Sequence, residues 1–208
     1  MPTRGRRKLA AKAVDYFWSQ TYQNKQLLIL DDEEDPSFTL RPHCHFYARR
    51  SDPMTIGAKR NTLCAIAAGP IIAHWDSDDY SAPDRLTVQY YLLRESGKAV
   101  LGFHTLLFVN EETRQAAYYI GDPGDIVGTS LMYRREWWQE HPFDDLMIQE
   151  DMRFARCAAG LDQLYSCDVI EAGITYLMIA RTHSDNTSPR VMIGENWQAR
   201  DFDRISIS

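Results

Sequence analysis

Several things are scarce in this chain, and each scarcity excludes something. Its four cysteines, Cys44, Cys64, Cys157 and Cys167, are scattered and include no CxxC pair. That excludes a zinc ribbon, a thioredoxin motif and a disulfide scaffold, and leaves four reduced thiols as the expectation. Apolar runs, such as residues 27–30 and 71–73, are short, far below the roughly 20 residues that cross a bilayer. The basic opening, MPTRGRRK, is not followed by the apolar core of a secretory signal. These features point to a cytoplasmic protein. Positive charge is also in deficit: 23 Lys and Arg stand against 29 Asp and Glu, a formal net charge of −6. A domain built mainly to grip nucleic-acid phosphates is usually net basic, so only a local basic patch stays open. There are no internal repeats and no low-complexity segments. What is present is ordinary for a folded domain: 44% apolar, 25% charged and 12% aromatic residues over a length of 208. That is enough for one domain with a sizeable core.

Periodicity supplies the elements. Residues 7–20 (RKLAAKAVDYFWSQ) carry apolar positions at helical spacing, and 57–68 predict a second helix stopped by Gly69-Pro70. A third helix covers 83–95, with Pro83 near its first turn, and a fourth begins at Glu150. Residues 26–31 (QLLILD) and 71–76 (IIAHWD) read as buried strands that run straight into acids. Residues 100–109 and 116–120 predict a strand pair around the turn at 110–114. Residues 131–140 are mixed, 169–171 and 175–180 read as late strands, and the tail from Asn186 is polar and partly helical. Strands alternating with helices indicate an α/β domain with a mainly parallel sheet flanked by helices. In such sheets ligands sit beyond the carboxyl ends of the strands. Both early strands end there in acids, Asp31-Asp32-Glu33-Glu34-Asp35 and Asp76-Ser77-Asp78-Asp79.

Those ends carry the chemistry. Asp76 and Asp78, two residues apart just past a strand, suit a hard divalent cation such as Mg²⁺ or Mn²⁺, although a lone acidic loop is also simply solvated. Gly57-Ala58-Lys59-Arg60-Asn61 opens a helix with two cations, a place where free N–H groups and the dipole favour an anion. Glu150-Asp151 opens another helix, where paired acids also serve as caps. His183 follows a strand and is a lone histidine. His43-Cys44-His45 lacks a second ligand pair and reads as loop or strand. Trp137-Trp138, Tyr90-Tyr91 and Tyr118-Tyr119 supply either a stacking platform or core and rim.

Taken in order, these segments resemble family 2 glycosyltransferases, inverting enzymes of the GT-A fold. The resemblance covers Met1 to about Pro189. It rests on Pro2-Thr3-Arg4 with QTYQNKQLLILDD, on TIGAKRNTLCAIAAGPIIAHWDSDDYSAPDRL, on IVGTSLMYRREWW with its small-residue turn, on PFDDLMIQEDMRF and on THSDNTSP. It implies a GT-A, Rossmann-like fold with a mixed, mainly parallel sheet flanked by helices, and a single domain over 1–208. Within it, 1–100 form the nucleotide-sugar half, 101–190 the acceptor and catalytic half, and 191–208 a tail. The family has an apolar strand just before its P-T turn; here the sequence opens at that turn. The expectation is therefore a sheet lacking its usual first strand, or one in which another segment fills the gap.

The resemblance also implies roles. Thr3, Arg4, Asp31, Asp32, Gly57, Lys59, Arg60 and Asp76 would bind the nucleotide sugar. Thr3 and Asp32, preferred over Asp31, would lie at the base, and Lys59 and Arg60 near the diphosphate. Asp76, Asp78 and His183 would hold Mn²⁺ or Mg²⁺. Asp151 would be the general base, with Glu150 orienting or repelling it. The metal would neutralise charge on the departing nucleoside diphosphate, and the base would take a proton from the acceptor hydroxyl. UDP is the donor nucleotide the resemblance favours. The acceptor stays open among a glycan, a lipid-linked sugar, a protein and a modified nucleic-acid base. Two other readings stand beside this one: a nucleotide-sugar-binding protein on a degenerate transferase fold, and a metal-dependent nuclease or phosphatase using the same acids.

Overall fold

The computed structural model describes residues 1–4, 6–32, 46–49, 52–184, 186–187 and 191–205, with Arg7 and 46–49 described through their backbone only. His43, Cys44, His45 and the acids Glu33, Glu34 and Asp35 fall outside that set. Cys64, Cys157 and Cys167 are free thiols, as expected. No helix among the described residues is long and apolar enough to cross a membrane.

The front of the chain forms a small parallel sheet. Strand β1 (Pro2–Thr3) pairs with β2 (Leu28–Asp31), which pairs with β3 (Phe46–Arg49). The place of the strand expected to be missing is thus taken by a two-residue stub. It is anchored by the Met1 ammonium, which donates to the Leu28 carbonyl at 2.7 Å, and by the buried Met1 side chain. Helix α1 (Arg7–Trp18) lies between β1 and β2 in sequence and buries Ala10, Ala13, Val14 and Phe17 at helical spacing. Helix α2 (Ile56–Ile66) starts at Thr55, whose hydroxyl accepts the Ala58 N–H at 3.0 Å.

The second sheet has eight strands. Its axis is β6 (Val100–Asn110), eleven residues long and buried in all but the last. The first half of β6 lies between β8 (Met132–Arg134), antiparallel, and β9 (Leu164–Asp168), parallel. Its second half lies between β7 (Gln115–Ile120), antiparallel, and β10 (Met178–Arg181), parallel. The short β4 (Ile71–Ala73) pairs with β8, β5 (Tyr80–Ser81) with β10, and β11 (Trp197–Arg200) with β7, all antiparallel. This corrects the expectation of a mainly parallel sheet: the larger sheet is mostly antiparallel. A strand buried on both faces reads as a continuous apolar run whichever way its neighbours point, so direction was not written in the pattern.

Further boundaries differ: the strand expected at 175–180 is β10 and starts only at Met178. The strand expected at 71–76 stops at Ala73, because His74 and Trp75 turn inward. The strand expected at 169–171 is a turn, and the preceding residues form β9 instead. The tail holds a strand, β11, besides one turn of 3-10 helix at Phe202–Arg204. Helices α3 (Arg85–Ser96), α4 (Arg135–Glu140) and α5 (Glu150–Gly160) complete the layers. Gly97 ends α3 in the left-handed region at φ +67°, where a glycine costs least.

Candidate functional site

Beyond the strand ends lies a cleft of about 460 Å³, lined by residues from both sheets and from the starts of α2 and α5. The size suits a small ligand. One wall is built by β1, β2 and α2. Lys59 Nζ donates to Asp32 Oδ1 at 2.5 Å and to the Thr3 carbonyl at 3.2 Å, all buried. The other Asp32 oxygen accepts the Met54 N–H at 3.1 Å. Thr3 is buried and its hydroxyl has no partner, although it lines the cleft. Among the described residues it is thus an exception, since such a group is normally satisfied. Arg4 is exposed at the rim. Asp31 is buried and is not among the residues lining the cleft, as expected of a neighbour of Asp32 on the opposite face of a strand end. Gly57 also lies outside the lining. A Cβ there would run into the Asp144 carbonyl, so its place is a packing one, where α2 meets the 144–146 segment.

The floor is the loop after β4. Its two large residues fix it: the Trp75 indole donates to the Ala13 carbonyl at 2.8 Å, and the His74 backbone N–H donates to the Leu131 carbonyl at 2.8 Å. Asp76, Asp78 and Asp79 are thereby held at the cleft. Arg60 bridges floor and far wall, with Nη2 at 3.5 Å from Asp76 Oδ1 and Nε at 3.1 Å from Glu150 Oε1. Burial pushes the Arg60 guanidinium down, but the carboxylates of Asp76, Glu150 and Asp151 outweigh it and hold the charge in place. Burial raises the Glu150 carboxyl, with Arg60 opposing and Asp151 adding to the rise. Burial, reinforced by Asp78 and Asp76, pushes Asp79 up to about 8. One Asp79 oxygen accepts the Arg181 N–H at 2.8 Å.

Asp78 Oδ2 lies 3.1 Å from His183 Nε2 and accepts Arg6 Nη1 at 2.6 Å and Asn186 Nδ2 at 3.2 Å. Burial lifts its carboxyl against the pull of Arg6, and Asp76 adds to the lift. The 3.1 Å separation matches two adjacent ligands around an ion held at about 2.0–2.2 Å. Among the described residues no three His, Cys, Asp or Glu side chains form a ligand cluster. The chain could thus supply a divalent ion with two ligands, Asp78 and His183, leaving the rest of the shell to phosphate oxygens and water. Asp76 is turned toward Arg60 instead. Thr182, buried beside this group, lines the cleft with a second unpartnered hydroxyl.

Across the cleft stands Asp151, at the start of α5. Its Oδ1 accepts the Met152 N–H at 2.7 Å. Its other oxygen lies against the Cα of Gly128, where any Cβ would collide with the carboxylate. Gly128 begins a 3-10 turn (Gly128–Ser130), and three buried side chains hold the turn by its carbonyls. His74 Nδ1 meets the Gly128 carbonyl at 2.7 Å, Arg85 Nη2 donates to that of Thr129 at 2.9 Å, and Gln89 Nε2 to that of Ser130 at 2.7 Å. Burial, with Arg60 adding to it, keeps His74 well below its usual range. The ring is therefore neutral, with its proton assigned to Nδ1 by the carbonyl partner. Burial lowers Arg85 to about 10, still a cation at neutral pH, and it lies 4.8 Å over the Trp75 ring.

Gly128, His74, Arg85, Gln89, Arg6 and Arg181 were not singled out from sequence as site residues. The small-residue turn GTS was the signal for the first. The others bond over 40 or more residues and leave no local mark. Trp137-Trp138, Tyr90-Tyr91 and Tyr118-Tyr119 do not line the cleft; Trp137 is buried and stacks on His141 at 3.9 Å.

Similarity to known structures is broad in fold and low in sequence. The S. aureus TarS structure in complex with UDP superposes with a TM-score of 0.68 at 16% identity, over 87% of this chain and 59% of that one. The TarS complex with UDP-GlcNAc gives 0.68 at 15% identity, over 100% and 60%. The mannosyltransferase PcManGT from Pyrobaculum calidifontis, in complex with GDP-Man and Mn²⁺, gives 0.66 at 12% identity, over 89% and 56%. The chain thus spans about three-fifths of the TarS chains it matches. No curated protein sequence matches it significantly. Residues 1–171 match the sequence profile of glycosyl transferase family 2. With most of the 208 residues inside that match and the GT-A architecture in place, the chain belongs to glycosyl transferase family 2.

Proposed function

We propose that this protein transfers a sugar from a nucleotide diphosphate sugar to an acceptor hydroxyl, with inversion and with a divalent metal. One observation carries the reading: a single cleft is lined both by Asp78, with His183 behind it at 3.1 Å though not itself in the lining, and by Asp151, seated on Gly128. Residues 1–100 supply the donor side and 101–190 most of the acceptor side. Asp32, Lys59 and the Thr3 hydroxyl are assigned to the nucleotide, with Arg4 at its rim. Arg60 is assigned to the diphosphate and to holding Glu150 and Asp76. UDP is the favoured nucleotide, in keeping with the UDP complexes of TarS; GDP-mannose is the comparison arm, since PcManGT binds GDP-Man.

When bound, Mn²⁺ or Mg²⁺ would offset charge building on the leaving diphosphate. Asp78 and His183 would hold it. Asp151 accepts the proton of the attacking hydroxyl, and Gly128 keeps its carboxylate facing the cleft by leaving no side chain beneath it. Glu150, drawn off by Arg60 at 3.1 Å, positions the start of α5 rather than taking that proton itself. Incubation with UDP-GlcNAc, UDP-glucose and GDP-mannose, with and without Mn²⁺, tests the reading by release of the nucleoside diphosphate. Metal-dependent release whose sugar product has the anomeric configuration opposite to the donor is expected. No release from any donor, or retention of configuration, contradicts it.

A further inference from the structure

Among the described residues five cations line the cleft, Arg4 at its rim and Arg6, Lys59, Arg60 and Arg181 deeper, and the last three are paired with acids. Lys59 is buried against Asp32, Arg60 against Glu150 and Asp76, and Arg181 is tied to Glu111 at 3.0 Å and to the Asp78 carbonyl at 3.1 Å. Arg6 differs. It sits just ahead of α1, where its carbonyl accepts the Ala10 N–H at 2.8 Å, so its backbone is fixed. Its side chain is 19% exposed, against 7% for Asp78 and for Arg60. It comes in from the rim, with Nη1 on Asp78 Oδ2 at 2.6 Å and Nη2 at 3.5 Å from the Thr187 hydroxyl.

That oxygen is the one facing His183. A carboxylate oxygen offers about two lone-pair directions, and here Arg6, His183 and Asn186 all crowd onto it. A divalent ion about 2.1 Å from the same oxygen would meet the Arg6 guanidinium within contact distance, and two like charges so close in a partly buried site repel strongly. Arg6 and the ion therefore exclude each other at this atom. The Asp78 backbone is fixed, its carbonyl held by Arg181 Nη1 and its neighbour Asp79 by the Arg181 N–H. The flexible partner is Arg6.

We propose that Arg6 is a built-in competitor for the divalent cation at Asp78, released when a nucleotide diphosphate enters together with the ion. The inference rests on the metal-dependent reading above. The diphosphate supplies what the ion alone does not: further oxygen ligands, and an anion for the displaced guanidinium. The free protein then binds metal weakly, and nucleotide and metal strengthen each other's binding, as linkage requires. This order keeps a bare ion from filling the cleft ahead of the donor.

Mn²⁺ titration of the full chain, read by the electron paramagnetic resonance signal of free Mn²⁺, tests the proposal without any turnover. It is run with and without UDP on the wild type, Arg6→Ala, Arg6→Gln and Asp78→Asn. Removing the guanidinium is expected to tighten Mn²⁺ binding in the absence of UDP by about tenfold or more and to shrink the enhancement that UDP gives. Asp78→Asn is expected to abolish specific binding. If both Arg6 variants bind Mn²⁺ no more tightly than wild type while Asp78→Asn still abolishes binding, the competition is wrong and the metal site stands. If Asp78→Asn binds as wild type does, the metal reading falls and takes the proposal with it. Arg6→Gln keeps a polar side chain of similar reach, so the test survives should the alanine variant fold poorly.

Discussion

Helices α2 and α5 both point their N-termini at the cleft, and they carry opposite charge there. Helix α5 opens with Glu150 and Asp151, in accord with the positive end of the helix dipole. Helix α2 has no acid in its first turn and instead buries Lys59 and Arg60, against its dipole. Acids at a helix start have a sufficient explanation in helix stability. Buried cations at one do not, and they call for partners elsewhere. Here those partners are Asp32, Asp76 and Glu150, and Arg60–Glu150 joins the two helices directly. Charge placed against the local electrostatics is thus the better marker of a site, and charge placed with it is ambiguous until the fold is known.

The comparison breaks most sharply at Asp151. If it acts as the base rather than as a helix-start acid, Asp151→Asn lowers the transfer rate by about 10³-fold, within the range for general-base catalysis. The melting temperature should move little, since asparagine still accepts the Met152 N–H. A melting temperature that collapses while residual activity follows the folded fraction assigns it to stability instead. Gly128→Ala comes next. The added methyl displaces the carboxylate, and a misplacement of that kind costs about a hundredfold in rate. UDP binding, measured by calorimetry, should stay at the wild-type level. Equal losses in binding and rate would show a general collapse of the cleft.

At the α2 side the expected effect is on stability. Arg60→Ala strands Glu150 and Asp76 without their cation, at a cost of about 3–5 kcal/mol. That corresponds to a fall of roughly 10 °C in melting temperature for a chain of this size. Adding Glu150→Gln should recover part of it; no recovery would mean that the two residues do not act as a pair. The remaining test is at Asp79, where the effect depends on pH. Its carboxyl titrates near 8 in the fold against 3.8 ordinarily, so the folded chain binds a proton that the unfolded chain has lost. Stability from this group is then full below about pH 4 and declines as pH climbs to 8. Asp79→Asn should match wild type in melting temperature at pH 4 and exceed it by a few degrees at pH 8. A gain that is the same at both pH values would contradict the shift.

Much of this was legible in the sequence. QLLILDD and IIAHWDSDD put acids at strand ends, and Asp32, Asp76 and Asp78 do line one cleft with Lys59, Arg60, Glu150 and Asp151. Local patterns marked α1, α2, α3 and α5 to within two residues or so, because amphipathic spacing and caps are local properties, while α4 fell in a stretch that read as mixed. Beyond the β6–β7 hairpin, strand direction was not legible, since β6 is mostly apolar and its neighbours β8, β9 and β10 come from distant segments. Nor was the brace under Gly128. His74, Arg85 and Gln89 looked like ordinary residues of a strand end and a helix, and only the fold brings their polar atoms to three consecutive carbonyls. Gly57 shows the opposite error. A glycine at a cation-bearing helix start suggested a ligand contact, whereas its missing side chain makes room for the Asp144 backbone.

The account stands or falls on whether Asp78 couples metal to nucleotide in this cleft. Thermal unfolding with UDP at about a hundredfold excess over its Kd, with and without Mn²⁺, measures that coupling directly in wild type and Asp78→Asn. The account predicts a rise of about 5 °C or more for wild type with UDP and Mn²⁺ together, a much smaller rise with either alone, and loss of the joint effect in Asp78→Asn. An Mn²⁺-independent rise, or one that Asp78→Asn leaves intact, would contradict it.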